Sequence, residues 1–475
     1  MSSINKTLLL SVVFAAACAY AQAPPFQHII VIVQENRTPD NLFGGATNNP
    51  QTWDVQPVAG APSVELSSCI DPDHSHSPGW TNEYNGGNYN NWCRPQNGCT
   101  QLQCPQETVV TASDVTPYLN IGQYYSFTNR MFQTNQGPSF PAHQFLLTGT
   151  SAPTQPNSPP YNAWFAAENP LPKQEGAGCT AQIGVYALEV DHNGDESPGY
   201  SPPEPWPDPG YPCYDHPTLT DLFENNQPQI TWKYYTPNNV AIWTAPNAIF
   251  HICQPSGGSC TGSEWQNNVI QDPRQVLADI NNLNCSANAL AQVSWVIPSE
   301  PYSDHGHENA GYGPDWVGSI VNSVGSSHCG YWNNTAILIT WDDWGGFYDH
   351  VPVPQPFRNQ YELGFRVPLM VVSAYTGVKN GDGSYSGYVS CPAPVGQCEQ
   401  IQDFGSILRF IEDNFSLGRI VQPPYFYADA QANPLDPGFF GLTSPRPFQA
   451  IPGLTYDATF FLGNTLNPNE DPDDD

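Results

Sequence analysis

Two acidic segments each follow a short apolar run. Gln34-Glu35-Asn36-Arg37-Thr38 follows His28 to Val33, and Trp341-Asp342-Asp343-Trp344-Gly345-Gly346 follows Thr335 to Thr340. Glu35 and Asn36 offer hard oxygen donors of the kind that hold a divalent cation. Asp342 and Asp343 are adjacent carboxylates, whose mutual repulsion favours a bound cation or a raised pKa. Each segment also has a plainer reading, with Asn36 or Thr38 as a helix cap and the Asp pair as a solvated turn before the two glycines. A third segment, Gly137-Pro138-Ser139-Phe140-Pro141-Ala142-His143, presents a serine between prolines. A metal-bound serine is deprotonated more readily, which makes a nucleophile without a general base. This serine does not sit in a G-x-S-x-G elbow, so a hydrolase triad is unsupported.

Histidines form the fourth group. His74 and His76 lie in Asp71-Pro72-Asp73-His74-Ser75-His76, and His305 and His307 in Ser303-Asp304-His305-Gly306-His307. Imidazole N–H groups can stabilise phosphoryl oxygens or, deprotonated, bind a transition metal. His251 (Phe250-His251-Ile252) is a more ambiguous candidate, and His28, flanking an apolar run, reads as structural.

These residues need elements that bring them together. Four apolar runs read as buried strands: His28 to Val33, Gln292 to Ile297, Thr335 to Thr340 and Val367 to Val372. Continuous apolar runs rich in β-branched residues suit a parallel sheet covered on both faces. Between them lie helical patterns at Pro217 to Asn225, Trp316 to Val324 and Phe404 to Phe415, the first opening on a proline. The alternation predicts an α/β fold with a central, mostly parallel sheet flanked by helices. With 50 Pro and 39 Gly in 475 residues, much of the chain must be loop. The stretches 48–108, 151–215 and 375–400 read as long insertions that shape a pocket mouth.

The N-terminus predicts a signal peptide over residues 1–21: Lys6 precedes an apolar run too short to span a bilayer, and Ala19-Tyr20-Ala21 fits a cleavage site, giving a mature start at Gln22. Cys18 as a lipoprotein site is a weaker alternative, because the residues before it lack leucine. Removing Cys18 from the 13 cysteines leaves twelve, an even number that favours disulfides in a secreted or periplasmic protein. Cys253 with Cys260, and Cys391 with Cys398, bracket short loops, and Cys69, Cys93, Cys99 and Cys104 crowd one insertion. Residues 22–466 read as one catalytic domain and 467–475 as an acidic disordered tail. A net charge of −31 opposes binding to nucleic acid or anionic membranes, yet leaves room for an anionic substrate at a local cationic centre. The mature chain offers no transmembrane segment.

In this order the segments resemble the bacterial phosphoesterase family of secreted acid phosphatases and phospholipases C, within the alkaline-phosphatase-like superfamily. The carrying stretches are HIIVIVQENRTPDNLFG, DPDHSH, GPSFPAHQFLLTGT, QVSWVIPSEPYSDHG, TAILITWDDWGGFYDHVPVP, LGFRVPLMVVSAY and GSILRFIEDNF, between residues 28 and 415. The resemblance implies an alkaline-phosphatase-like fold and one divalent metal ion, of unknown identity, held by Glu35, Asn36, Asp342 and Asp343 together with Ser139 as nucleophile. It implies that His74 and His305 hold the phosphate. His307 and His251 are further substrate-binding candidates, although His251 does not align securely.

Two departures bear on substrate choice. Pro39-Asp40-Asn41 replaces the family's Phe-Asp-His, and Ala142-His143 replaces an Asn-Arg, losing a forked phosphate donor. The chain also ends soon after the last matching segment, which points to the shorter acid-phosphatase-like members. The expected activity is hydrolysis of a small phosphate ester through a phosphoseryl intermediate. An imidazolium clamp from His74 and His305 would favour mildly acidic pH. The alternative is a phospholipase C acting on phospholipid head groups, where the 13 Trp, 24 Tyr and 22 Phe could cage a choline. A sulfatase is disfavoured because no cysteine occupies position 139. A non-catalytic secreted binding protein on the same fold is the rival of another class.

Overall fold

The computed structural model describes residues 26–464, leaving out 96–101, 154–163, 173–175, 192–193, 198–209, 238–241, 286–289, 308, 356–360, 395–399 and 422–426. The expected signal peptide, the acidic tail, Cys18, Cys99 and Cys398 lie outside the described residues.

Six strands form the central sheet: β1 (His28–Gln34), β2 (Trp232–Tyr235), β3 (Val269–Ile270), β4 (Val293–Val296), β5 (Thr335–Trp341) and β6 (Leu369–Ser373). Their order is β3-β2-β4-β1-β5-β6, with every pairing parallel except β5 with β6. β1 and β5 are neighbouring inner strands. They are buried along nearly their whole length, as continuous apolar runs require when both faces are covered. The run at 367–372 forms the antiparallel edge strand. β2 and β3 escaped the sequence reading because WKYY is short and mixed, and Val269–Ile270 is two residues long.

Helices cover both faces. Trp295, Val31 and Leu338 are aligned across three neighbouring strands, and the Trp295 indole donates to the Leu146 carbonyl on α3 (Ser139–Thr148; 3.1 Å). Trp341 and Gln34, three residues further on, point to the opposite face, because side chains alternate along a strand. There Trp341 meets Tyr118 of α2 (Thr116–Tyr124) edge to face. The earlier helix α1 (Pro39–Phe43) opens at once after β1, capped by the Thr38 side chain. Further along the chain, α4 (Leu219–Asn225) starts two residues later than the proline suggested. Thr218 and Asp221 form a capping box there, which fixes the start better than Pro217 does. α5 (Gln275–Ile280) and α6 (Gly313–Ser326) pack with α2 on one side, and α7 (Phe404–Asn414) packs on α3 on the other.

Four disulfides lie among the described residues: Cys93–Cys104, Cys179–Cys213, Cys253–Cys260 and Cys285–Cys329. Cys69 and Cys391 are disulfide-bonded as well. Two of the four staple the long insertions at 48–108 and 151–215, and no described helix is long and apolar enough to cross a membrane.

Candidate active site

The site begins with a register. Gln34 is aligned with Trp341 at the ends of β1 and β5, so the next residues, Glu35 and Asp342, leave the sheet side by side. The Asp342 amide donates to the Gln34 carbonyl (2.9 Å), and the Asn36 amide donates to Asp342 Oδ1 (3.0 Å). This is the carboxyl end of a parallel sheet, where open α/β folds place their ligands. Asn36 takes a left-handed backbone (φ 61°), a conformation that asparagine tolerates better than most residues. Gly345 fits against it with φ 62°, and a Cβ there would collide with the Asn36 carbonyl.

Ser139 arrives from another part of the chain, at the first residue of α3. Gly137 lies so close to the Ala167 carbonyl that a side chain would clash, which holds the turn before the serine. Ser139 Oγ lies 3.3 Å from Glu35 Oε2 and 3.4 Å from Asp343 Oδ2, fully buried. One helical turn later, His143 Nε2 is 3.2 Å from Glu35 Oε1 and 3.8 Å from Asp342 Oδ2. Burial lowers the His143 pKa to about 4 against the pull of Asp342, so the ring is neutral above that pH. His143 therefore donates through Nε2–H to Glu35. The sequence reading treated this residue only as a lost arginine. Its signal was the four-residue spacing from Ser139, which puts both on one helix face.

A divalent cation fits these groups. Glu35, Asn36, Asp342, Asp343 and Ser139 converge as hard oxygen donors, and Asn36 Oδ1 and Asp342 Oδ2 are buried with no hydrogen-bond partner. A buried carboxylate oxygen without a partner is costly unless a cation or donor meets it. Glu35, His143 and Asp342 can also each offer an atom to one ion, all within 4.8 Å of one another.

The histidines divide their work. His74 Nδ1 lies 2.9 Å from the Pro72 carbonyl, so Nδ1 carries the proton and Nε2 accepts from Asn36 Nδ2 (3.2 Å). That bond holds the Asn36 amide by its Nδ2 and leaves Oδ1 buried without a hydrogen-bond partner. In the resting structure His74 thus orients Asn36. His305 sits with its ring centroid 6.1 Å from that of His74. His305 Nδ1 faces the His307 backbone, 3.3 Å from its amide nitrogen and 3.4 Å from its carbonyl oxygen. Burial lowers its pKa to about 4, so the ring is neutral above that pH. His307 contributes its backbone.

Behind His305 stands a buried brace. Arg37 Nε donates to the Asp304 carbonyl (2.7 Å) and its NH2 group reaches the His305 carbonyl (3.4 Å). Asp304 Oδ2 accepts from the Tyr118 hydroxyl and from the Trp341 indole, each at 2.9 Å. Burial raises the Asp304 carboxyl to about 6, opposed by Arg37 and those two donors.

His251 is not brought into this group. It lies 2.9 Å from Asp215 and 3.5 Å from Asp221, partly exposed. His76 hydrogen-bonds the Gln136 carbonyl and stacks on Trp80. His28 bonds the Ala291 carbonyl, as its structural reading predicts. The replaced segment Pro39-Asp40-Asn41 also has a defined role. Asp40 accepts from Arg366 (3.2 Å) and His350 (2.7 Å), while Asn41 anchors Arg37 (3.2 Å).

A cavity of about 790 Å³ opens beside the site, meeting it at His74 and Pro138. It is lined from the first two insertions, including Asp73, Arg94, Glu168 and Tyr186.

Comparison with known proteins gives a consistent family match. The Phosphoesterase family model matches residues 26–418. A non-hemolytic phospholipase C of Burkholderia pseudomallei is 31% identical over 172 residues, 31% of this chain and 22% of that protein. A non-hemolytic phospholipase C of Pseudomonas aeruginosa is 22% identical over 82% of this chain and 54% of its own length, so the chain spans about half of that relative. A solved structure described as a protein in the alkaline phosphatase superfamily from Vibrio parahaemolyticus superposes with a TM-score of 0.35 at 8% identity, covering 84% of this chain and 68% of that one.

Proposed function

This chain belongs to the Phosphoesterase family, and we propose that it hydrolyses phosphate esters with Ser139 as the nucleophile beside one divalent cation. The observation that carries this reading is the seating of Ser139 Oγ between the Glu35 and Asp343 carboxylates, at 3.3 and 3.4 Å. Glu35, Asn36, Asp342 and Asp343, with Ser139 Oγ, would hold the cation. When bound, it would supply Lewis-acid polarisation of the phosphoryl group and a lowered serine pKa.

The chain's own groups do the rest. Ser139 passes its proton to one of the two carboxylates in reach, and Oγ attacks phosphorus opposite the leaving oxygen. The P–O bond to the leaving alcohol breaks as the Ser139 Oγ–P bond forms, giving a phosphoseryl intermediate and an alcohol that takes up a proton. Water then cleaves the intermediate and restores the serine. The N-terminus of α3, on which Ser139 sits, favours negative charge at Oγ. His305 donates Nε2–H to an equatorial oxygen. His74 can do so only when protonated, by giving up its bond from Asn36.

Phospholipid-type phosphodiesters suit this chain better than the acid-phosphatase reading, because the relatives matched are phospholipases C. The cavity beside His74 leaves room for a head group. The disulfides support secretion or a periplasmic location. Residues 22–466 would then act as one catalytic unit.

The test is turnover of a choline phospholipid and of a chromogenic phosphomonoester by the purified protein, beside Ser139→Ala and after chelation with metal add-back. Loss in both, with recovery of the chelated protein on adding a divalent ion, supports the serine–metal reading. The preferred substrate decides between diester and monoester. Metal binding without turnover of either would return the non-catalytic reading.

A further inference from the structure

Six large apolar side chains are exposed among the described residues, and three of them, Leu171 (39%), Ile183 (85%) and Tyr186 (40%), occupy one short stretch. The others, Leu283, Val378 and Leu462, are far apart in the chain. Single exposed apolar residues are ordinary, whereas a group of them marks a contact surface. This group has an ordered base. Leu171 and Tyr186 pair as an antiparallel bridge with both backbone hydrogen bonds made, at 2.8 and 2.9 Å. Between them, the turn from Gln182 to Val185 is closed at 3.2 Å and lifts Ile183 to its tip, with Gly184 at φ 96°. The Cys179–Cys213 disulfide and the Tyr211 hydroxyl, 2.7 Å from the Ala181 carbonyl, tie the stretch to the body.

The stretch is also continuous with the site. Leu171 and Tyr186 line the same cavity that reaches His74 and Pro138. We propose that this rim, with Ile183 at its tip, docks the protein on a zwitterionic lipid surface and so sets the mouth of the site against the bilayer. Charge selects the kind of surface. Asp71 and Asp73 line the cavity, while Arg94 there is already paired with Glu83 at 2.9 Å. The whole chain carries −31, so an anionic bilayer repels this face and a neutral one does not. The inference rests on the phospholipid reading of the site, but its test does not depend on turnover.

The experiment is flotation of the full-length protein with phosphatidylcholine vesicles and with vesicles half phosphatidylglycerol, for wild type and Ile183→Asp. Hydrolysis of a water-soluble phosphodiester and of vesicle lipid is measured alongside. The expected result is binding to phosphatidylcholine, weaker binding to the anionic vesicles, and a fall in partition of about tenfold for Ile183→Asp, the loss of one apolar anchor. Soluble-substrate turnover stays at the wild-type level. An Ile183→Trp variant should show blue-shifted emission on phosphatidylcholine vesicles. Equal flotation of wild type and Ile183→Asp, or a wild-type preference for the anionic vesicles, overturns the proposal. If wild type floats but cleaves no phospholipid, the docking surface stands and the substrate reading fails. If Ile183→Asp cleaves vesicle lipid as fast as wild type, the reverse holds.

Discussion

Ser139 and His143 stand one turn apart on α3, and both reach Glu35: the serine at Oε2 (3.3 Å), the histidine at Oε1 (3.2 Å). The two ends of one carboxylate are thereby assigned before any substrate arrives. Ser139→Ala is expected to lower kcat/KM by about 10⁴-fold or more, as loss of a nucleophile does in other hydrolases. Stability to denaturant should stay within about 1 kcal/mol, because the hydroxyl is small and no carboxylate loses a charged partner. The pair of measurements is steady-state kinetics and urea unfolding, and an active Ser139→Ala would remove the serine from the mechanism.

On the proposed mechanism His143, 3.2 Å from Glu35 Oε1, acts through that carboxylate as a positioning residue. His143→Asn retains a short donor and should keep more kcat than His143→Ala, with KM nearly equal in the two. The physical cause is orientation of Glu35, whose misplacement by even 1 Å costs on the order of 10²-fold in rate. A change confined to KM would place His143 against the substrate instead.

The pH profile separates a neutral donor from an imidazolium clamp. Burial holds His143 and His305 at about 4, below the free imidazole value near 6.5. Both are neutral above pH 4 in the resting protein, and their protonation on acidification disrupts the site. Activity should therefore fall as pH drops toward 4 and persist through neutrality. A kcat/KM profile with its maximum below pH 5 would contradict this assignment.

Arg366 is buried between Asp349 (2.9 Å) and Asp40 (3.2 Å). Arg366→Met leaves both carboxylates without that partner and should cost about 3–5 kcal/mol of unfolding free energy. His350 belongs to the same network. Burial opposes its charge, but hydrogen bonds to Asp40 and Asp54 outweigh that and raise its pKa to about 9. A raised imidazole pKa adds stability that is fully present below about pH 6.5 and is lost as pH rises through 9. The thermal midpoint of His350→Gln should thus lie below wild type at pH 6 and approach it at pH 10.

The sequence alone determined four of the six strands of the central sheet, the helices at 316–324 and 404–415, and the family. β1 and β5 are apolar along nearly their whole length, and the candidate site segments follow directly on their ends, so both signals are local. It also singled out Glu35, Asn36, Ser139, Asp342 and Asp343, because side chains of those types following strands or a Gly-Pro turn are chemically distinctive. Only the tertiary structure decided that Glu35 meets Asp342, through the Gln34–Trp341 register, since strand order and register are set by packing between distant segments. Only it turned His74 toward Asn36, made His305 neutral, admitted His143 and left His251 between Asp215 and Asp221. Those outcomes depend on burial and on which groups surround a side chain, and neither is written in the residues beside it.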